Sequence, residues 1–187
     1  MTQLLSLINS FQILDLKTEQ MIREYFVEER FQKNEMIIQE GKICSKIYYI
    51  KSGLVRRFCL EDGIEITKWI YTDNQFVTSL TSYFEQKLSF ENFQASEETT
   101  VYSLSYLDEL KLLEYPLFSK FHIKLLRIYL SRLNEFHHSY TSMSAQEKYL
   151  YLVNSLPQII LKAKLKDIAS LIGVSPETLS RIRAQIN

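Results

Sequence analysis

The chain of 187 residues is poor in the residues that staple or bend a backbone: it has two cysteines, three prolines and four glycines. Two thiols, Cys44 and Cys59, are too few for a disulfide framework or a four-thiolate iron–sulfur cluster, and a cytoplasmic setting is expected. No apolar run approaches the ~20 residues that span a bilayer, so no membrane partner is expected. No Lys or Arg precedes Lys17 and no small-residue cleavage site follows, so a secretory leader is not expected either. Net charge is also missing, with 22 basic residues against 22 acidic ones. Any attraction to nucleic acid therefore has to be local.

Histidine does not occur in residues 1–121. That argues against a cupin-like metal oxygenase, whose strands must supply two or three histidines with a carboxylate, and against enzymatic activity of that kind. His122, His137 and His138 fall on one helical stretch, where the adjacent pair points about 100° apart and cannot chelate. No metal and no cofactor are assigned.

What is present is a hydrophobic content of 46%, enough to bury the core of one large domain and one small one. Residues 142–187 hold six basic residues against three acidic ones, a local excess of +3 that leaves −3 for the rest. Residues 1–28 carry apolar positions at helical spacing, which predicts one or two short helices. From Phe31 the period shortens. The runs M-I-I-Q, K-I-Y-Y-I, L-V-R-R-F-C-L and I-E-I-T-K-W-I-Y are rich in β-branched and aromatic residues and are separated by E-G-K, K-S-G and E-D-G. Asp62-Gly63 is the strongest turn signal, since both residues tolerate positive φ. A further strand pair is expected at F-E-N-F-Q-A-S and T-T-V-Y-S-L-S-Y, which makes a β-sandwich or jelly roll over about residues 29–106.

Beyond Leu107 the helical period returns. Ile123, Leu126, Leu130, Leu133, His137 and Tyr140 recur at intervals of three and four, a seam on which a second copy of the chain can pack. Phe121, Leu125, Ile128 and Tyr129 lie on a neighbouring face that can rest on the β domain. The seam is short, and an ordinary core helix in a monomer is the competing reading.

The last segment carries L-K-D-I-A-S-L-I, then G-V-S, then P-E-T-L-S-R-I-R-A-Q-I. Ile168 and Ile172 share one face and Ala169 lets a second helix cross closely. Gly173 suits the left-handed residue of a turn, Ser175 an N-cap and Pro176 the first helical position. Leu179, Ile182 and Ile186 form the buried stripe of the second helix. Glu177, Thr178, Arg181 and Gln185 form its opposite face, from which base edges and phosphates can be reached. The spacing predicts a helix-turn-helix over 165–184. A structural helical hairpin with solvated charges is the plain alternative.

F-Q-K-N-E-M-I-I-Q-E-G-K, then I-Y-Y-I-K-S-G-L-V-R-R-F, then G-V-S-P-E-T-L-S-R-I-R together resemble the Crp/Fnr family of bacterial transcription regulators over nearly the full length. The resemblance implies an α+β chain: an N-terminal β jelly-roll domain of cyclic nucleotide-binding type (1–106), a linker and long dimerisation helix (107–141), and a C-terminal helix-turn-helix domain (142–187). It implies a homodimer on double-stranded DNA, with RNA polymerase and a small-molecule effector as further partners.

By position, Glu177 and Arg181 match the base-reading residues of that family, while Pro176 stands where it often has an arginine. The sequence stops at Asn187, so the two-stranded wing is expected to be absent or removed. Phosphate anchoring is then expected from Lys164, Lys166, Arg183 and helix N-termini, with Ser175 and Thr178 beside them. In the sensor loop, N-Q-F-V-T-S-L puts Thr78 and Ser79 where cyclic nucleotide-binding members have Gly-Glu. No arginine occurs between Arg57 and Arg127 to meet a cyclic phosphate, so cyclic AMP is not expected to bind. Phe76, Tyr83, Phe84, Phe90 and Phe93 bracket this loop, either lining a pocket or filling it. A protein-interaction module that kept the scaffold and lost DNA reading is the alternative function.

Overall fold

The computed structural model describes residues 1–186, apart from the side chain of His137. Two short helices come first, α1 (Thr2–Phe11) and α2 (Leu16–Tyr25). The Asp15 carboxylate caps α2 by accepting the Thr18 N–H at 2.8 Å. Strands follow as β1 (Val27–Phe31), β2 (Met36–Ile38), β3 (Lys46–Ser52), β4 (Val55–Glu61), β5 (Ile64–Tyr71) and β6 (Phe76–Val77). After helix α3 (Leu80–Glu85) come β7 (Asn92–Ala95) and β8 (Thr99–Ser105). They make two four-stranded sheets, β1-β8-β3-β6 and β2-β7-β4-β5, antiparallel throughout.

The period of two along each strand assigns its side chains to different cores. Tyr48 and Ile50 enter the space between the sheets with Tyr83, Phe93 and Val101. Tyr49, between them, points outward with Tyr102 and Leu104 into a second core formed with α1, α2 and Phe118 and Phe121. The expected Asp62–Gly63 turn joins β4 to β5, with φ of 51° and 78°. β5 spans the same eight residues as the β-branched and aromatic run I-E-I-T-K-W-I-Y.

β1 begins at Val27, earlier than the sequence suggests. V-E-E-R-F has no apolar alternation of its own and becomes a strand by pairing with β8, from Val27↔Ser103 to Phe31↔Thr99. Two-residue β6 and six-residue α3 are too short for any periodicity to reveal.

Six helices complete the described residues: α4 (Tyr106–Leu113), α5 (Pro116–Tyr140), α6 (Ala145–Ser155), α7 (Pro157–Lys162), α8 (Leu165–Ile172) and α9 (Pro176–Ile186). The three prolines open α5, α7 and α9, where the missing N–H would have had no helical partner. Ser144 and Glu147 form a reciprocal capping box at the start of α6. A third core joins α6 to α9 with Leu54, just before β4, and Ile70 on β5. The last four helices are thus built against the sandwich.

Candidate nucleic-acid interface and sensor loop

The turn between α8 and α9 is closed by backbone geometry. Gly173 sits at φ 81° and ψ 34°, a left-handed conformation that costs a residue with Cβ. Its N–H donates to Ser170 C=O at 3.1 Å, and the Val174 N–H donates to Ala169 C=O at 3.0 Å, the paired bonds of a Schellman ending. The Ser175 hydroxyl then accepts from Thr178 N–H at 3.2 Å and starts α9. Leu179 and Ile182 are buried on Ile168, Ala169, Leu171 and Ile172, while Ile186 is half-buried.

The other face of α9 is open. Ser175, Pro176, Glu177, Thr178, Arg181, Arg183 and Gln185 are all exposed, as is Lys166 on α8. Hydrogen bonding to Ser175 holds the Glu177 carboxyl below its usual range, and Arg181 one turn on adds to this. An ionised carboxylate and a guanidinium therefore stand side by side on an uncovered helix face. Lys164 is placed otherwise: its ammonium donates to Asn34 of the β domain at 3.1 Å.

The seam residues of α5 divide. Ile123, Leu126, Leu130 and Leu133 keep 50%, 39%, 67% and 49% of their surfaces exposed and form one apolar stripe. Tyr140 leaves it and is buried in its own chain. Its ring stacks on Phe136 and meets Trp69 edge-on, and its hydroxyl donates to Leu171 C=O at 3.4 Å. Burial, with Tyr151 nearby, pushes that hydroxyl up to about 12. The side chain of His137, the remaining seam residue, lies outside the described residues. On the neighbouring face Phe121 is buried, and Leu125, Ile128 and Tyr129 are half-buried, as the spacing predicts.

In the sensor loop Ser79 is fully buried and faces a carboxylate of the same chain. Its hydroxyl donates to Glu91 Oε1 at 3.2 Å, Ser89 donates to Ser79 at 3.0 Å, and Arg57 Nε donates to Glu91 Oε2. Glu91 is thereby a buried anion with an internal counter-ion, and the sequence offered no signal of it. Thr78 turns away and donates to Lys46 C=O at 3.0 Å. Tyr83 and Phe93 fill the interior, whereas Phe84 and Phe90 lie exposed at the surface.

Two surface cavities are present among the described residues. One of about 210 Å³ is lined by residues from Met36 to Tyr48, and one of about 520 Å³ opens beside α1 and Asn74. Another internal pairing involves His122, whose Nε2 stands 3.1 Å from Glu109 Oε1. The buried Tyr83 hydroxyl donates to the other oxygen of Glu109 at 2.8 Å.

Residues 28–115 match the family model of the cyclic nucleotide-binding domain. Solved structures resemble nearly the whole chain. FixK2 of Bradyrhizobium japonicum is 19% identical with a TM-score of 0.69, covering 86% of this chain and 84% of its own. CLP of Xanthomonas campestris, a regulator described as c-di-GMP responsive, is 15% identical with a TM-score of 0.66, covering 92% and 91%. The fold is that of the Crp/Fnr regulators. The Catabolite Activator Protein of Thermus thermophilus has it too, at 20% identity, a TM-score of 0.58 and coverage of 92% and 84%. No curated protein matches the sequence. Within the Crp/Fnr fold, the long helix is α5 and the C-terminal helix-turn-helix is α8–α9. No described helix is long and apolar enough to cross a membrane.

Proposed function

We propose that the chain is a sequence-specific DNA-binding transcription regulator of the Crp/Fnr type, acting as a homodimer and indifferent to cyclic AMP. The observation that carries this reading is the face of α9: Glu177, Thr178 and Arg181 stand uncovered above a helix whose other side is locked by Leu179 and Ile182. Such a face presents a carboxylate that accepts from cytosine and a guanidinium that donates to guanine, on a helix packed against its neighbour. The apolar stripe of α5 supports the dimer. Two copies joined there would read two half-sites with centres about 34 Å apart. Lys166 and Arg183 then meet phosphates, and Lys164 joins them only after leaving Asn34.

The test is selection of a binding site from a random duplex library, followed by titration at fixed salt. A near-palindromic site should emerge. Arg181→Ala should weaken binding to that site by about 1–3 kcal/mol and relax preference at one base pair. Weak binding that is independent of sequence, with Arg181→Ala indistinguishable from wild type, would sink the reading in favour of a protein-interaction module.

A further inference from the structure

The free edge of β5 is covered by α8, and the contact is polar at its centre. Arg56 and Asp167, 4% and 3% exposed, face each other across it with Nε 3.3 Å from Oδ1. Arg56 also donates from Nε to Thr67 Oγ1 at 2.8 Å and from Nη1 to Glu65 at 2.6 Å, and its guanidinium lies over the Phe58 ring. The Thr67 N–H, on the outer edge of the sheet, donates to Ser170 Oγ at 2.9 Å. Leu54 and Ile70 flank this centre in the shared core, and Lys162–Glu97 and Lys164–Asn34 tie its rim at 3.1 Å each.

We propose that Arg56 and Asp167 are positioning residues for DNA reading: their pair seats the helix-turn-helix on the β4–β5 hairpin of its own chain and thereby sets the spacing of the two recognition helices in the dimer. This rests on the reading of the chain as a dimeric DNA reader. The physical reason is directional. Apolar contacts tolerate sliding, but a shift of about 1–2 Å here strands a buried charge without its counter-charge. Residues 141–144 are the covalent link between α5 and α6. Without the seat, each α9 would be tethered to the dimer helix rather than held at a fixed distance and facing.

The experiment uses the full chain and three duplexes: the selected site, the same site with about five base pairs inserted between half-sites to rotate one by half a turn, and a single half-site. Wild type should prefer the natural spacing by about a hundredfold, because the second half-site is engaged only when the geometry allows. Asp167→Asn should bind the single half-site within about twofold of wild type and lose at least about tenfold of that spacing preference. Trp69 fluorescence reports whether the variant is folded. Should Asp167→Asn fail to fold, Ser170→Ala, which removes only the bond from Thr67, should show the same selective loss in smaller measure. An unchanged spacing preference in the folded variants overturns the proposal, as does an equal loss on half-site and full site. Absence of sequence-specific binding by wild type overturns the DNA-reader reading first, and the seat with it.

Discussion

Glu91 is a carboxylate withdrawn from water and answered from within, by Arg57 on one oxygen and Ser79 on the other. The position matters because Ser79 belongs to the loop where the resemblance places a cyclic nucleotide. A cyclic phosphate entering there would meet a buried negative charge and find the nearest guanidinium already paired, which is repulsive as well as costly in desolvation. Calorimetric titration with micromolar cyclic AMP should therefore show no saturable heat, and saturable heat would contradict this account. The lack of an arginine to meet a cyclic phosphate is readable in the sequence, since the stretch between Arg57 and Arg127 holds none. That Arg57 turns inward to Glu91, 34 residues away, was not readable. Nothing local to R-R-F distinguishes Arg57, which enters the sandwich, from Arg56, which faces the helices.

At the scale of elements, local chemistry identified the helix-turn-helix well. Gly173, Ser175 and Pro176 each meet a backbone requirement within a few residues of themselves, so their meaning survives without knowledge of the rest of the molecule. Helix α5 was legible in its period but not in its allegiance. The same three-four spacing includes Leu130, which stays exposed, and Tyr140, which is buried within its own chain against Trp69 and Phe136. Spacing tells which residues share a stripe and leaves open what covers each part of it. If a second copy covers the exposed part, Leu126→Glu with Leu130→Glu should convert the dimer to a monomer by light scattering. The circular dichroism spectrum should stay unchanged, because neither residue supports its own chain's core. A wild-type monomer, or a double variant that remains dimeric, would contradict the assignment.

For the whole molecule, the third core decides behaviour. Leu54 and Ile70 belong to the sandwich yet are buried among residues of α6 to α9. Unfolding the helix-turn-helix alone would expose that sheet face and unpair Arg56, so the two parts should lose structure together. In urea, Trp69 fluorescence and far-ultraviolet circular dichroism should trace one coincident transition. Two separated transitions would show that the shared core does not couple them. By itself the sequence determined what depends on near neighbours: the strand runs, the Asp62–Gly63 turn, the capped helices and the helix-turn-helix, because propensity, caps and turn conformations act over a few residues. The tertiary structure alone decided the occupant of the sensor loop and the contact that seats the helix-turn-helix on the sandwich. Glu91 with Arg57 and Thr67 with Ser170, the latter 103 residues apart, become partners only when two buried faces close on each other, and no periodicity in the chain encodes which faces those are.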